Sequence, residues 1–312
     1  MIVLHPGLID DLVEFPDYES IASRPLFSFD VDPAKTQLVK PIGVYRFREK
    51  VSCGLKSCHQ QHFRGLVVLT RDGGEVNIGH LCGKKHFGEE FGVYANMVQR
   101  FMKRKSHIEV IRQLKAVAGR HLGRIQELRS QERGGEWLVH TMRNLRERLP
   151  GDAMQALHDA ARRGEVEVFE DVLVEGEEAD LQREFGMRNA WGGRSGPTFR
   201  RESRGRIVGA RIWAKEPGSA LWSLAVDIRS VLELDVIACP RKSLPRAADI
   251  AAQAESRLAE CEALVEAGRR FFTEENIRRL RFLPRVFQSS RPALESLSLT
   301  LIAPRAQKPR AA

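Results

Sequence analysis

Three of the five cysteines and four of the nine histidines gather between positions 53 and 86, in the stretch CGLKSCHQQHFRGLVVLTRDGGEVNIGHLCGKKH. Thiol and imidazole are the side chains that hold borderline-soft metal ions, and their spacing here makes two half-sites. Cys53 and Cys58 are separated by four residues, with Gly54 between them to let the backbone turn sharply. Cys82 and His86 form a C-x3-H pair, and in a helix beginning near Cys82 the two share a face. Two such pairs make a tetrahedron. The expected ligands are therefore Cys53, Cys58, Cys82 and His86, the expected cofactor is Zn2+, and His59, His62 and His80 compete for the fourth position. Four protein ligands leave no place for water, so an ion held this way stabilises a fold and does not hydrolyse a substrate.

The residues between the halves must fold back to bring them together. Gly65-Leu-Val-Val-Leu-Thr-Arg is a β-branched run, Asp72-Gly-Gly a turn signal and Glu75-Val-Asn-Ile a second short run, a pattern that predicts a β-hairpin. A knuckle, a hairpin and a helix whose first turn carries the last two ligands resemble the treble-clef zinc finger, a structural group that covers residues 53–88 here. That resemblance implies a zinc held by the same four residues and a scaffold onto which a function is grafted.

A catalytic reading uses some of the same side chains. His62, Asn77 and His86 follow the order of the HNH motif and so resemble the ββα-metal nucleases, which implies one divalent ion and a histidine that activates water. The pattern departs from that family at Gln61, where an acid usually stands beside the first histidine, and at Lys85, where a second cysteine would complete a flanking zinc. Magnesium wants oxygen ligands, and only Asp72, Glu75, Glu89 and Glu90 lie near the motif.

Other chemistries lack their signatures. There is no G-x-x-x-x-G-K-[ST] loop, no G-x-G-x-x-G after a strand and no G-x-S-x-G elbow, so no nucleotide cofactor is expected. A net charge of +9, carried largely by arginine, draws acidic partners and makes nucleic acid, DNA or RNA, the expected partner. The opening MIVLHPGLIDDLVEF has early acids and a proline in place of a basic start, and no apolar run is long enough to span a bilayer. The expectation is a cytoplasmic protein with no membrane partner. Cysteines in a reducing compartment favour metal over disulfides, and Cys239 and Cys261, isolated from the cluster, read as small core residues.

Around the cluster the chain reads as α+β and mainly α-helical, a small zinc-bound β-hairpin and helix module joined to long helices. Residues 1–50, interrupted by Pro6, Pro16, Pro25, Pro33 and Pro41, form a wrap with short elements such as Asp17 to Ala22, and Gly43 to Phe47 alternates like a strand added to the hairpin. The zinc module spans 51–92. A helical scaffold spans 93–185: from Phe87 an apolar stripe runs through Phe91, Tyr94, Met97, Val98 and Phe101 to Ala118. Arg100, Lys103, Arg104, Lys105, Arg112 and Lys115 ridge the opposite face. Gly134-Gly135 marks a turn, Asp152 a helix cap and the acidic 165–185 stretch an exposed helix face. Residues 186–302 hold a basic loop to Gly205, a short β-hairpin in which a strand from Arg206 to Ala214 pairs with Thr198 to Glu202, and an antiparallel helical hairpin, Ser219 to Val236 and Ala247 to about Leu283. Residues 303–312 form a tail without a packing pattern.

These features predict a zinc-binding protein that contacts nucleic acid through basic surfaces, at Lys84, Lys85, Arg100, Lys103 and Arg104 beside the module and at Arg194, Arg200 and Arg201 in the loop. Two alternatives stand beside it: an adaptor whose zinc module and coiled helices dock a protein partner, and an HNH-like nuclease.

Overall fold

The computed structural model describes residues 12–56, 58–177, 180, 198–240, 242–284 and 286–295. It is α+β and mostly helical. The chain divides into two compact units, Met1–Val110 with Pro240–Pro245 and Ile111–Cys239 with Arg246–Ala312.

The first unit is built on a four-stranded sheet in the order β1 (Val13–Phe15), β2 (Leu38–Ser52), β3 (Gln61–Thr70) and β4 (Glu75–Gly79), with a one-turn helix α1 (Glu19–Ala22) in the N-terminal segment. The expected hairpin is β3–β4, paired antiparallel from Gly65↔Gly79 to Leu69↔Glu75. The alternating Gly43–Phe47 segment lies in the longer β2, which pairs antiparallel with β3. Leu66, Val68, Val76 and Ile78 are buried with Leu38, Cys53 and Leu55 in one apolar cluster. Part of the proline-rich segment wraps this sheet: Phe27 bridges to Glu75, whose buried carboxylate takes two hydrogen bonds from Arg24, one of them at 2.8 Å between Nη2 and Oε1.

Helix α2 runs His80–Ser130, starting seven residues earlier than the apolar stripe alone indicates, and is broken at Gly88, where φ is 51°. That backbone region is open to glycine at little steric cost. Phe91, Tyr94, Met97 and Val98 are buried, as the stripe requires, and the Tyr94 hydroxyl donates 2.7 Å to the Val39 carbonyl at the start of β2.

In the second unit α3 (Gly135–Arg148), α4 (Gly151–Arg163), α5 (Pro217–Glu233) and most of α6 (Ser243–Phe271) surround a core that includes Leu138, Met142, Leu157, Leu221, Ile228 and Phe271. Cys261 is buried as expected, whereas Cys239 is half-buried in a turn.

Several expectations fail here for identifiable reasons. The acidic stretch begins as strand β5 (Val166–Val174), because VEVFEDVLV alternates every second residue and its β-branched side chains suit a pleated surface. Its partner is β6 (Thr198–Ile207), so the strand expected at Thr198–Glu202 is present but pairs with β5, and Ala210–Trp213 is a single 3-10 turn in place of a strand. Ile207, Ala210, Ile212 and Trp213 are all buried, which pulls that turn inward. The long terminal helix stops at Phe271, and Thr273 accepts from the Asn276 amide to start α7 (Glu274–Arg279). Asp152 does not cap its own helix: its carboxylate accepts from the Phe287 amide at 2.7 Å and the Ser290 hydroxyl at 2.8 Å, ahead of the short helix α8 (Arg291–Glu295). The loop residue Arg194 lies outside the described residues, as does the tail from 303 onward.

Candidate metal centre

Three segments of the first unit converge on one point. Cys53 follows the last residue of β2, Cys58 sits in the β2–β3 connection, and Cys82 is in the first turn of α2. Their sulfur atoms all lie within 4.8 Å of one another, and Cys58 Sγ is 3.0 Å from Cys82 Sγ with no disulfide between them. A tetrahedral zinc with Zn–S near 2.3 Å sets its sulfurs roughly 3.8 Å apart. The trio therefore has the spacing and the donor chemistry to hold a metal ion, compatible with zinc.

The turn that makes this possible is fixed by backbone hydrogen bonds. The Cys53 amide donates to the Gln60 carbonyl (3.1 Å), the Gly54 amide to Asn77 (2.9 Å) and the Cys58 amide to Leu55 (3.0 Å). Gly54 is required by space, since a Cβ there would stand 2.8 Å from Asn77 Oδ1 and 2.7 Å from a Val76 methyl. From β4, Asn77 reaches back through Nδ2 to the Ser52 carbonyl at 2.9 Å, fastening the end of β2 beside Cys53. Leu55, between the two cysteines, is fully buried and bridges to Val31.

The thiols differ in acidity. Burial raises Cys53, and burial together with the contact to Cys58 pushes Cys82 up to about 12. Burial opposes ionisation of Cys58 too, but hydrogen bonds from the Cys82 thiol and the Gln60 amide, with the Lys85 charge, outweigh it and hold this thiol below its ordinary value. Cys58 is thus the most acidic of the three, and Cys53 and Cys82 give up their protons less readily to a cation.

Among the described residues no histidine or carboxylate joins this group. His86, expected as the fourth ligand, is half-buried on the same helix and outside it. The competing histidines are engaged elsewhere. His59 Nε2 is 2.9 Å from Asp30 and its ring stacks on Phe29. His62 Nδ1 meets the Gln60 carbonyl at 3.0 Å, so that nitrogen is the donor, and Nε2 accepts from the buried Tyr45 hydroxyl at 2.5 Å. Burial lowers the pKa of both His62 and His80, and the His80 ring sits edge-on to Phe91. Of the nuclease constellation His62, Asn77 and His86, the first two are hydrogen-bonded to Tyr45 and to the Ser52 carbonyl, and the nearby acid Glu75 to Arg24. Tyr45 and Gln60 support the site without any signal in the cysteine spacing, whereas Asn77 stands out in the sequence for a different role.

The expected nucleic-acid residues divide. Lys84, Lys85, Arg100 and Lys103 are exposed in the first unit, and Arg104 is half-buried. In the second unit Arg200 is ion-paired with Glu202, and Arg201 lies over the Phe169 ring at 4.2 Å. No helix among the described residues is long and apolar enough to cross a membrane. Comparison with protein-family models, curated proteins and solved structures yields no match to this chain.

Proposed function

We propose that the first unit is a zinc-stapled, treble-clef-like scaffold in a protein that contacts nucleic acid, and that the ion is structural. The observation carrying this reading is the convergence of three thiols within 4.8 Å from β2, the β2–β3 connection and α2. The fourth ligand in this reading is His86, which lies outside the trio but stands one helical turn from Cys82 on the same face. Of the four neighbouring histidines it alone, among the described residues, has no hydrogen bond, ion pair or ring contact. The nucleic-acid part is supported by the charge of +9 and by the exposed cations beside the module.

Elemental analysis and X-ray absorption on the purified protein test the centre. The expected result is about one zinc with three sulfur and one nitrogen ligand, lost in Cys53→Ser and weakened in His86→Ala. Folded protein without zinc overturns the reading; three sulfurs with full retention in His86→Ala reassign the fourth ligand.

The adaptor reading is favoured by a separate observation in the second unit. Trp222 is 61% exposed at the edge of a cleft of about 660 Å³ formed with Val139, His140 and Gly218. Exposed tryptophans of this kind anchor protein interfaces. A photo-crosslinker at position 222 that captures one protein, lost when Val139→Arg fills the cleft, would favour it over nucleic acid.

A further inference from the structure

The end of the β2–β3 ribbon nearest the thiols carries a charge arrangement that folding alone does not account for. In the ladder Arg46 is paired directly with Arg64. Like charges opposite one another across a sheet are destabilising, and both guanidinium groups are exposed with no hydrogen bond or ion pair among the described residues. The next registered pair is Val51↔His62, so residues 47–50 bulge out against Phe63 alone. This bulge adds Arg48 and Lys50 to the surface, with Glu49 its one acid. Phe63 is 47% exposed in the midst of these cations, and Lys50 Nζ lies 5.5 Å from its ring centroid. Beside them opens a cleft of about 530 Å³, walled by Arg46, Arg64, His62, Phe63, His80 and Cys82. That is within the range of pockets that take small-molecule-sized groups, ~300–1,000 Å³.

We infer that this face binds single-stranded nucleic acid, with phosphates on the Arg46 and Arg64 guanidinium groups and an unstacked base on the Phe63 ring. The repulsive pair calls for an anion between or above its members, which gives the phosphate. The exposed ring amid cations selects the kind of anion, because each unpaired base brings a flat π-face that stacks on an aromatic side chain, whereas an acidic peptide brings carboxylates alone. A duplex hides its base faces and fits less well. The inference rests on the nucleic-acid reading above and relocates the principal contact from Lys84, Lys85, Arg100, Lys103 and Arg104 to the sheet. Zinc enters only as the staple that sets the cleft wall at Cys82.

The test is fluorescence anisotropy of zinc-loaded full-length protein with a labelled single-stranded oligothymidine, a duplex of equal length and polyglutamate. Phe63→Ala is expected to weaken single-strand binding about fivefold or more. Arg46→Ala with Arg64→Ala is expected to weaken it and to flatten the slope of log affinity against log salt by about 1.4, two contacts at ~0.7 each. The same double variant should melt at a higher temperature than the parent, since it removes a repulsion, which separates lost binding from lost folding. Single-strand binding that survives in all these variants but fails in Lys84→Glu with Lys85→Glu overturns this face and leaves the broader reading standing. No nucleic-acid binding at low salt overturns both. Polyglutamate bound as tightly as the oligonucleotide, with the same sensitivity to Arg46 and Arg64, overturns the single-strand inference in favour of an acidic protein.

Discussion

Gly83→Ala places two well-understood effects in opposition beside the metal centre. Gly83 follows Cys82 in the first turn of α2, and replacing a helical glycine by alanine ordinarily stabilises by about 1 kcal/mol. Here a Cβ would stand 2.3–2.4 Å from three atoms of the Phe91 ring. Carbon atoms pack best at ~3.5–4.0 Å, so the ring would have to retreat by more than ~1 Å. Phe91 is 1% exposed and sits in the cluster that contains Tyr94, Val98 and Cys82, which leaves it nowhere to go. Overpacking of this kind costs about 1–3 kcal/mol and more when several contacts are violated. With three ring atoms violated the cost lies at the upper end of that range, so the steric effect wins with a net destabilisation of roughly 2 kcal/mol. The chain supplies its own assay: Tyr18, Tyr45 and Tyr94 lie in the first unit and the tryptophans among the described residues, Trp137, Trp213 and Trp222, in the second. Urea unfolding of zinc-loaded protein followed by tyrosine absorbance should shift to lower denaturant, while the tryptophan transition stays in place. Phe91→Leu in the Gly83→Ala background should restore part of the loss. An alanine variant more stable than the parent by about 1 kcal/mol would refute the packing of Phe91 against this turn.

Three further outcomes follow from the same contacts. Because Cys53 is raised and Cys82 is pushed up to about 12, both are thiols at neutral pH and an incoming ion displaces their protons. Zinc affinity measured by chelator competition should climb at least about 100-fold from pH 7 to 8, tenfold for each proton displaced from Cys53 and Cys82, and a flat profile would contradict these acidities. Asp152→Ala should cost the second unit about 1 kcal/mol by removing the acceptor for Phe287 and Ser290. Its folded pKa lies below the ordinary 3.8, so the carboxylate's contribution is present above that value and is lost as pH falls through the lower one. Stability of parent and variant should converge at strongly acid pH, and a constant difference down to pH 2 would disprove it. Tyr45→Phe removes the hydroxyl facing His62 Nε2 and should destabilise by about 1–3 kcal/mol, since a half-buried ring nitrogen is then left without its donor; an unchanged tyrosine-detected transition would show that the hydrogen bond contributes nothing.

How far the fold is legible in the sequence depends on whether a single period governs a segment. The hairpin from Gly65 to Gly79 and the stripe from Phe91 to Ala118 follow one period each, and the cysteines declare themselves by type and spacing. Strand β5 escapes such a reading because its acids conceal the alternation of Val166, Val168, Val172 and Val174. Its partner's arginines look free in the sequence, yet Arg204 is 2.8 Å from Glu170, so charge that suggests a ligand surface is partly consumed by the ladder. The cleft at Arg46 and Arg64 is invisible for the opposite reason: eighteen positions separate the two arginines, and only the register of β2 on β3 sets them side by side. His86 shows the limit of spacing rules, which place a residue on a helix face and say nothing of its rotamer.

The position of the three thiols also bears on the order of events in folding. Cys53 and Cys58 are local to one another, but Cys82 meets them through the pairing of β3 with β2 and of β4 with β3. A metal ion that needs all three sulfurs cannot help the chain search for those pairings; it arrives when they are made. Its stabilisation would then fall on the native side of the folding barrier, slowing escape and leaving the folding rate of the first unit nearly unchanged. Zinc would act in this protein as a latch on unfolding, and the lifetime of the folded sheet would track the availability of the metal.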